Sequence, residues 1–271
     1  MAAPADGEGE GAVRYALLSD LHGNLPALEA VLADVESRGG AAAYHLGDLV
    51  GYGPWPDRVV SLLEERGVPG IAGNYDSTVA TGHDHCGCRY DDPEQQALSG
   101  ESYAWTREHV SAETRRRLAG LPFRIDLKPL GGHTAGPRAT LVHGAPTRNT
   151  LYWTEDRTDD FCRKMADRAG LAEGDAIVFG HTHVPWTRAV DGVRFVNAGS
   201  VGRPKDGDPR ACYVLLEAGG DSGPDARDDG GGGTWRVEHV RVEYDIERAA
   251  RGVEESDLPD AFADQLRKGG A

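Results

Sequence analysis

The chain contains no long hydrophobic run and no recognisable targeting segment. None of its apolar stretches approaches the roughly 20 residues that a helix needs to span a bilayer. Residues 1–11 consist mainly of Ala, Gly, Pro and acidic residues, without the basic start and apolar centre of a signal peptide. We therefore predict a cytoplasmic protein without membrane contact, in which residues 1–12 form a disordered lead-in.

Cysteine and positive charge are also scarce. Four cysteines, unevenly spread over 271 residues, do not indicate a disulfide framework. The 29 Lys and Arg residues are outnumbered by 44 Asp and Glu residues, which gives a net charge of −15. Such a surface repels a phosphate backbone, so we expect a small-molecule partner and no nucleic acid polymer.

The sequence does contain an alternation of short apolar runs and helical patterns. Runs that predict strands are 13–18, 41–46, 68–72, 139–142, 176–179 and 193–196. Helical patterns follow the first two runs, which predicts parallel pairing and a ligand site beyond the carboxyl ends of the strands.

The length fits one domain that carries an insertion. We place this domain at 13–245, with a cap over the site at about 75–128. Runs 211–216 and 235–242 are expected to pair around a mobile loop at about 218–234. Residues 246–271 predict one last helix, at 247–255 or 261–268, and a tail.

Polar residues follow the predicted strands one after another along the chain. Each fragment alone is a common helix cap or turn, but five of them in order at strand ends favour one shared metal site. Oxygen and imidazole donors suit borderline divalent cations such as Mn, Fe, Zn or Ni. Asp48 is the natural bridge between two cations about 3.5 to 4 Å apart. The candidate ligands are Asp20, His22, Asp48, Asn74, His143, His181 and His183.

These fragments resemble the calcineurin-like metallophosphoesterase family. The matching motifs are Ser19-Asp20-Leu21-His22-Gly23-Asn24, Gly47-Asp48-Leu49-Val50-Gly51-Tyr52-Gly53-Pro54, Gly73-Asn74-Tyr75-Asp76, Val142-His143-Gly144 and Gly180-His181-Thr182-His183. The stretch Asn197-Ala198-Gly199-Ser200-Val201-Gly202-Arg203-Pro204 resembles the bacterial small-phosphoesterase branch.

The resemblance implies an α/β fold, a four-layer αββα sandwich of two mixed sheets, and an enzyme with two divalent metal ions. One metal would be held by Asp20, His22, Asp48 and His183, and the other by Asp48, Asn74, His143 and His181. It further implies that a hydroxide bridging the metals attacks phosphorus, with Asp48, Asn74 and His143 taking part in catalysis. Asp76 would orient a ligand.

Position 75 departs from the family pattern. Many members carry His after the Gly-Asn pair, where it is thought to protonate the leaving oxygen, whereas this chain has Tyr75. Three explanations are open: the leaving group departs without help, Tyr75 only lines the pocket, or a histidine from the insertion replaces the missing acid.

The insertion carries four potential metal donors within six positions, namely His83, His85, Cys86 and Cys88. They indicate a third metal, a catalytic or substrate-contacting histidine, or a polar loop without a role. Cys162 and Cys212 are interpreted as core residues.

Substrate contacts are expected from arginines and polar or aromatic residues near the strand ends. The candidates are Arg89, Arg148, Arg203, Asn24 and Tyr52, with Arg107, Tyr152 and Trp153 as further possibilities.

We predict a metal-dependent hydrolase of a small phosphomonoester, with a nucleotide or nucleoside-like substrate favoured. The alternatives are a phosphodiesterase, a dinucleoside-polyphosphate hydrolase, a protein serine/threonine phosphatase and a non-catalytic binding protein of the same fold.

Overall fold

A computed structural model describes residues 14–90, 92–127, 137–218 and 235–270. The predicted lead-in at 1–12 and nearly all of the predicted loop at 218–234 lie outside these residues.

Two mixed sheets form the centre of the described fold. The first has the order β2-β1-β8-β9 and the second β3-β4-β5-β7-β6. The strands are β1 (Arg14–Leu18), β2 (Ala42–His45), β3 (Arg124–Leu127), β4 (Ala139–Val142), β5 (Ala176–Phe179), β6 (Trp186–Val190), β7 (Val193–Asn197), β8 (Ala211–Ala218) and β9 (Trp235–Val242). The pairs β1–β2, β4–β5 and β5–β7 are parallel, as the strand–helix alternation predicts.

Helices cover the outer face of each sheet. They are α1 (Leu25–Ser37), α2 (Pro56–Glu65), α3 (Asn74–Thr81), α4 (Pro93–His109), α5 (Ala112–Ala119), α6 (Asp159–Ala169), α7 (Ile246–Glu254) and α8 (Ala261–Lys268). Residues of α6 pack on the second sheet, and the other helices share a core with the first.

The alternation of side chains along the strands builds the layers. In β1, Tyr15 and Leu17 face the core between the sheets, whereas Ala16 and Leu18 face the helices. In β5, Val178 faces the same central core and Phe179 the opposite layer. Successive side chains of a strand point to opposite faces, so strands apolar on both faces require this arrangement. The predicted four-layer αββα sandwich is confirmed.

Two predicted elements are wrong. Residues 68–72 form no strand and make a single bridge, between His45 and Gly70. Pro69 has no N–H to donate, and the N–H of Ala72 bonds instead to the carbonyl of Pro122, so the ladder does not extend. At the C-terminus both candidate segments are helical, as α7 and α8, because each buries an apolar face.

The range predicted as a cap, 75–128, contains most of α3, all of α4 and α5, and β3. Because β3 pairs with β4 in the second sheet, the predicted range extends too far at its C-terminal end. Within the described residues, no helix is both long enough and apolar enough to cross a membrane.

Candidate metal centre

The loops that follow the strands of both sheets bring the seven predicted ligands together. Asp20 follows β1, Asp48 follows β2, His143 follows β4 and His181 follows β5, while Asn74 is the first residue of α3. All seven side chains are buried, with at most 4% exposed. The carboxyl ends of strands from two sheets therefore meet at one enclosed polar point.

The first of two groups that could hold a metal consists of Asp20, His22 and His183. Oδ1 of Asp20 lies 3.2 Å from Nε2 of His183 and 3.7 Å from Nε2 of His22. The two Nε2 atoms are 3.1 Å apart. One cation between these atoms would have three donors.

The second group consists of Asp48, His143 and His181. Oδ2 of Asp48 lies 3.5 Å from Nε2 of His143 and 3.8 Å from Nε2 of His22 in the first group. Oδ1 of Asn74 approaches Nε2 of His143 to 3.1 Å. Asp48 thus lies between the two groups, where a bridging carboxylate would have to be.

Backbone carbonyls orient three of the imidazoles. Nδ1 of His22 lies 3.1 Å from the carbonyl of Val50, and Nδ1 of His143 lies 2.8 Å from that of Leu46. Nδ1 of His183 lies 2.6 Å from the carbonyl of Arg203. A carbonyl can only accept, so each Nδ1 carries a hydrogen and each Nε2 is the ring nitrogen turned to the centre, where it could bind a cation.

The chemistry of the donor set fits cations. Oδ1 of Asp20 and Nε2 of His181 are buried without a hydrogen-bond partner in the described structure. Two imidazole lone pairs that face each other, as those of His22 and His183 do, repel unless a positive ion lies between them. These atoms are oriented as ligands of two divalent metals.

The pKa values of the site follow burial and mutual charge. Burial holds the pKa of His22 and of His181 well below the usual value, and it also lowers the pKa of His183. Burial opposes the charged form of Asp20 too, but the neighbouring His183 outweighs it and lowers the pKa of the carboxyl. For His143, the charge of Asp48 overcomes burial and raises the pKa to about 10. A cation would replace the proton that His143 otherwise holds.

Five of the seven ligands have a left-handed backbone. The φ angles are 53° for Asp20, 46° for His22, 52° for Asp48, 67° for His181 and 64° for His183. Each such residue with a Cβ costs on the order of 1 to 2 kcal/mol. Hydrogen bonds between loops hold the conformation, such as His22 N–H to the carbonyl of Asp48 at 2.9 Å.

Residues of the 197–204 stretch form hydrogen bonds with the loops that carry the ligands. Nδ2 of Asn197 donates to the carbonyl of Gly180 and to Oγ1 of Thr182. Oγ of Ser200 donates to the carbonyl of Asp20 at 2.7 Å. The family resemblance pointed to this stretch, but only the structure shows that it positions ligand loops from both sheets.

Asp76 contacts backbone rather than a ligand side chain. It accepts from the N–H groups of Leu49 and Gly73, both at 2.9 Å. Burial and the charge of Asp48 raise its pKa to about 7. Its effect on the ligands therefore passes through the loops that carry Asp48 and Asn74.

Tyr75 is fully buried, and its backbone is the part that serves the site. Its N–H donates to Oδ1 of Asp48 at 2.9 Å, which leaves Oδ2 free to face the metals. Its ring packs edge-on to His22, and its hydroxyl is 3.5 Å from the carbonyl of Ser99. Because burial holds the pKa of Tyr75 well above 10, it is a poor proton donor for a leaving group.

The four donors of the insertion do not come together. His83 and His85 are exposed, whereas Cys86 is buried and Cys88 partly buried. None of the four belongs to a group of three possible metal donors among the described residues. The cysteines lie instead beside Asn74, whose Nδ2 is 3.0 Å from the carbonyl of Cys86 and 3.3 Å from Sγ of Cys88. This geometry gives a third metal no support, and it orients the Asn74 oxygen toward His143.

The predicted substrate residues divide by exposure. Arg89 and Arg148 are exposed side chains. Arg203 is buried, with its guanidinium 4.0 Å from the centroid of the Tyr52 ring. Asn24 caps α1 and donates to the carbonyl of Gly202 at 2.9 Å. The buried Asn24, Tyr52 and Arg203 thus join parts of the chain, and together with His22 they line one cavity, so their contact with a substrate stays a prediction.

Arg107 and Trp153 make contacts with residues other than the predicted ligands. Arg107 pairs with Asp84 at 3.3 Å, and Trp153 is stacked on Phe179 in the core of the second sheet.

Three side chains lie beside the centre: Tyr152, which the sequence offered as a further substrate contact, and Tyr90 and Lys205, which it did not single out. The ring of Tyr152 lies 4.5 Å from that of His181, and Tyr90 is hydrogen-bonded to Tyr52 at 3.0 Å. Nζ of Lys205 lies 5.3 Å from the centroid of the Tyr90 ring. All three are partly exposed.

Burial, and next the charge of Arg203, lower the pKa of Lys205 to about 7. Lys205 directly follows the motif stretch 197–204, which is the one sequence signal that could have found it.

A family model described as the calcineurin-like phosphoesterase superfamily domain matches residues 13–221. Among curated relatives, the Methanocaldococcus jannaschii protein MJ0912 is 28% identical, over 93% of this chain and 96% of its own length. The Escherichia coli phosphodiesterase YfcE is 27% identical, over 73% of this chain and 84% of its own length.

A solved structure shows the same fold over nearly the whole chain. The metallophosphoesterase from Sphaerobacter thermophilus superposes with a TM-score of 0.68 at 29% identity, covering 96% of this chain and 100% of that one.

Proposed function

The chain belongs to the calcineurin-like phosphoesterase superfamily, whose members hydrolyse phosphate esters, and on that premise we propose that it hydrolyses small phosphomonoesters at a two-metal centre. The observation that carries the proposal is the position of Asp48 between two buried donor groups. A nucleotide or nucleoside-like compound is the substrate class we favour.

Neighbouring groups orient two of the proposed ligands, Asp20 and Asn74. Asp20 accepts from Oγ of Ser19 and the N–H of His181 at Oδ2, so its other oxygen is free for a metal. Asn74 is oriented by the carbonyl of Cys86. Two bound divalent cations would polarise the phosphoryl oxygen and lower the pKa of water, which is Lewis-acid chemistry that the side chains alone do not supply.

The charge of the ligand set favours a strongly anionic phosphoryl group. Only two of the seven predicted ligands, Asp20 and Asp48, are carboxylates, so a centre with two divalent cations keeps about two positive charges, or about one when a hydroxide is also bound. A monoester carries about two negative charges at neutral pH and a diester only one, so the attraction is stronger for the monoester. The partly exposed rings of Tyr90 and Tyr152 offer faces on which a nucleobase could stack.

Protonation of the leaving group does not come from position 75 in this proposal. The buried hydroxyl of Tyr75 points at the carbonyl of Ser99, and its pKa is far above neutrality. The exposed His83 and His85 are not placed by any contact with the ligands. We therefore expect esters with good leaving groups to react fastest.

The test is turnover of p-nitrophenyl phosphate, bis(p-nitrophenyl) phosphate and nucleoside 5′-monophosphates by protein reconstituted separately with Mn²⁺, Fe²⁺, Zn²⁺ or Ni²⁺. We expect the monoesters to give the higher kcat/KM. We also expect Asp48→Asn to lower kcat at least about 100-fold, because loss of even an outer partner of a metal ligand costs 10- to 100-fold. Asp167→Asn, an exposed residue of α6, is the matched control.

Two outcomes would contradict the proposal. Faster turnover of the diester would establish the second candidate, a phosphodiesterase, which the similarity to YfcE favours. Absence of turnover with every metal would indicate a binding protein of this fold.

A further inference from the structure

Lys205 lies at the metal centre without an acidic partner. No ion pair within 4 Å joins its Nζ to a carboxylate of the described residues, and the ammonium lies over the face of the Tyr90 ring, 5.3 Å from the centroid. A lysine left without a counter-ion beside a polar centre is available to an anion.

The backbone fixes where Lys205 can reach. Its N–H donates to the carbonyl of His183 at 3.4 Å, and two residues earlier the carbonyl of Arg203 accepts from His183 Nδ1. From the other side, the residues just after α8 pack closely against Lys205: a Cβ on Gly270 would lie 2.8 Å from Cα of Lys205. The segment 203–205 is therefore held rigidly against a ligand loop.

Packing places the ammonium beside the first donor group. Nζ of Lys205 lies over the ring of Tyr90, whose hydroxyl is hydrogen-bonded to that of Tyr52 at 3.0 Å. The Tyr52 ring in turn packs edge-on to His22, with the ring centroids 4.9 Å apart. The side chain of Lys205 therefore lies on the side of the centre that Tyr90 and Tyr52 border.

We propose that Lys205 binds a non-bridging oxygen of the substrate phosphoryl group. This inference rests on the proposed function and deepens it, since it names the group that holds the phosphate. A flexible ammonium is suited to this role because it acts as a point charge and needs no fixed fork of donors. The phosphate charge in turn favours the protonated form of the lysine.

Binding of inorganic phosphate to metal-loaded protein, followed by calorimetry, tests the inference without requiring turnover. We expect Lys205→Met to weaken phosphate binding at least about 10-fold, equivalent to about 1.4 kcal/mol, with metal content unchanged. Lys205→Arg keeps the charge and should stay within about threefold of the wild type. Lys164→Met, an exposed lysine of α6, is the matched control.

Kinetics on p-nitrophenyl phosphate give a second readout. An increase in KM larger than the decrease in kcat is expected for Lys205→Met if the lysine binds the phosphoryl group in the ground state as well. Unchanged phosphate affinity in a folded Lys205→Met protein with full metal content would overturn the inference. A wild type that binds phosphate through Lys205 but hydrolyses no ester would contradict only the proposed function.

Discussion

The chain contains the pattern His-x-His twice, and the two copies have different fates. His181 and His183 are buried, take left-handed backbone conformations and lie among carboxylates from neighbouring strand ends. His83 and His85 are exposed in the insertion, and His85 merely accepts from the N–H of Gly87. The same residues at the same spacing thus give a metal group in one place and a polar loop in the other.

The difference lies in the backbone that carries each pair. The loop 180–183 leaves a central parallel strand and is fixed by Asn197, so that its side chains converge with those of other strands. The segment around 83–85 follows the end of α3, and among the described residues no second element brings a group of metal-binding side chains to it. The group of metal-binding side chains therefore forms because several rigid strand ends converge. The spacing of two histidines alone does not produce it.

The largest expected effect separates the two pairs directly. His181→Ala/His183→Ala removes one donor from each metal group, so we expect bound metal to fall below about one per chain and kcat to drop more than about 100-fold. Elemental analysis measures the bound metal, and turnover of p-nitrophenyl phosphate measures kcat. Retention of two metals per chain would show that these histidines are not ligands.

A buried histidine outside both pairs tests whether burial alone makes a histidine a metal ligand. His45 ends β2, three residues before Asp48, yet Nδ1 of its buried ring has no hydrogen-bond partner in the described structure. Burial lowers its pKa to about 4. Because the unfolded chain takes up this proton near pH 6.5 and the folded chain only near pH 4, stability is lost as the pH falls through this window.

We therefore expect His45→Leu to reduce the pH dependence of folding. Between pH 7 and pH 5 the wild type should lose about 2 kcal/mol more unfolding free energy than the variant. Urea unfolding in the presence of a chelator measures the difference without a contribution from metals. His85→Leu is the control, and equal slopes for wild type and His45→Leu would contradict the assignment.

The smallest expected effect concerns the exposed pair. His83→Ala/His85→Ala should leave metal content unchanged and kcat within about threefold of the wild type, since neither residue contacts a ligand in the structure. Loss of one metal per chain in this variant would restore the third-metal hypothesis. A large fall in kcat at full metal content would instead assign a histidine of the insertion to the reaction.

The fold was predictable where buried strands end in polar residues. The runs before Asp20, Asp48, His143 and His181 are strands, and the polar residues that follow three of them, Asp20, Asp48 and His181, have positive φ and turn the backbone. The hairpin of β6 and β7 was missed although its turn, Asp191-Gly192, is a typical two-residue signal with positive φ at both positions.

The candidate site was predictable in its ligands but not in what surrounds them. Asp48 follows a strand end and fits a motif, whereas Lys205 becomes important only because the chain returns past His183. Tyr75 shows the opposite limit: the sequence left the role of its side chain open, and the structure shows that its backbone N–H contacts Asp48. Contacts between distant segments decide both cases.

The left-handed backbone conformation of five ligand residues also has a consequence for laboratory evolution. At Asp20, His22, Asp48, His181 and His183, glycine would relieve backbone strain, so the residues that hold metal are not those that stabilise the metal-free fold best. Selection of a random library for heat resistance in a chelating buffer should therefore enrich substitutions at these positions and produce robust but inactive proteins. Selection with metal present should retain them, because there the bound ions repay the strain.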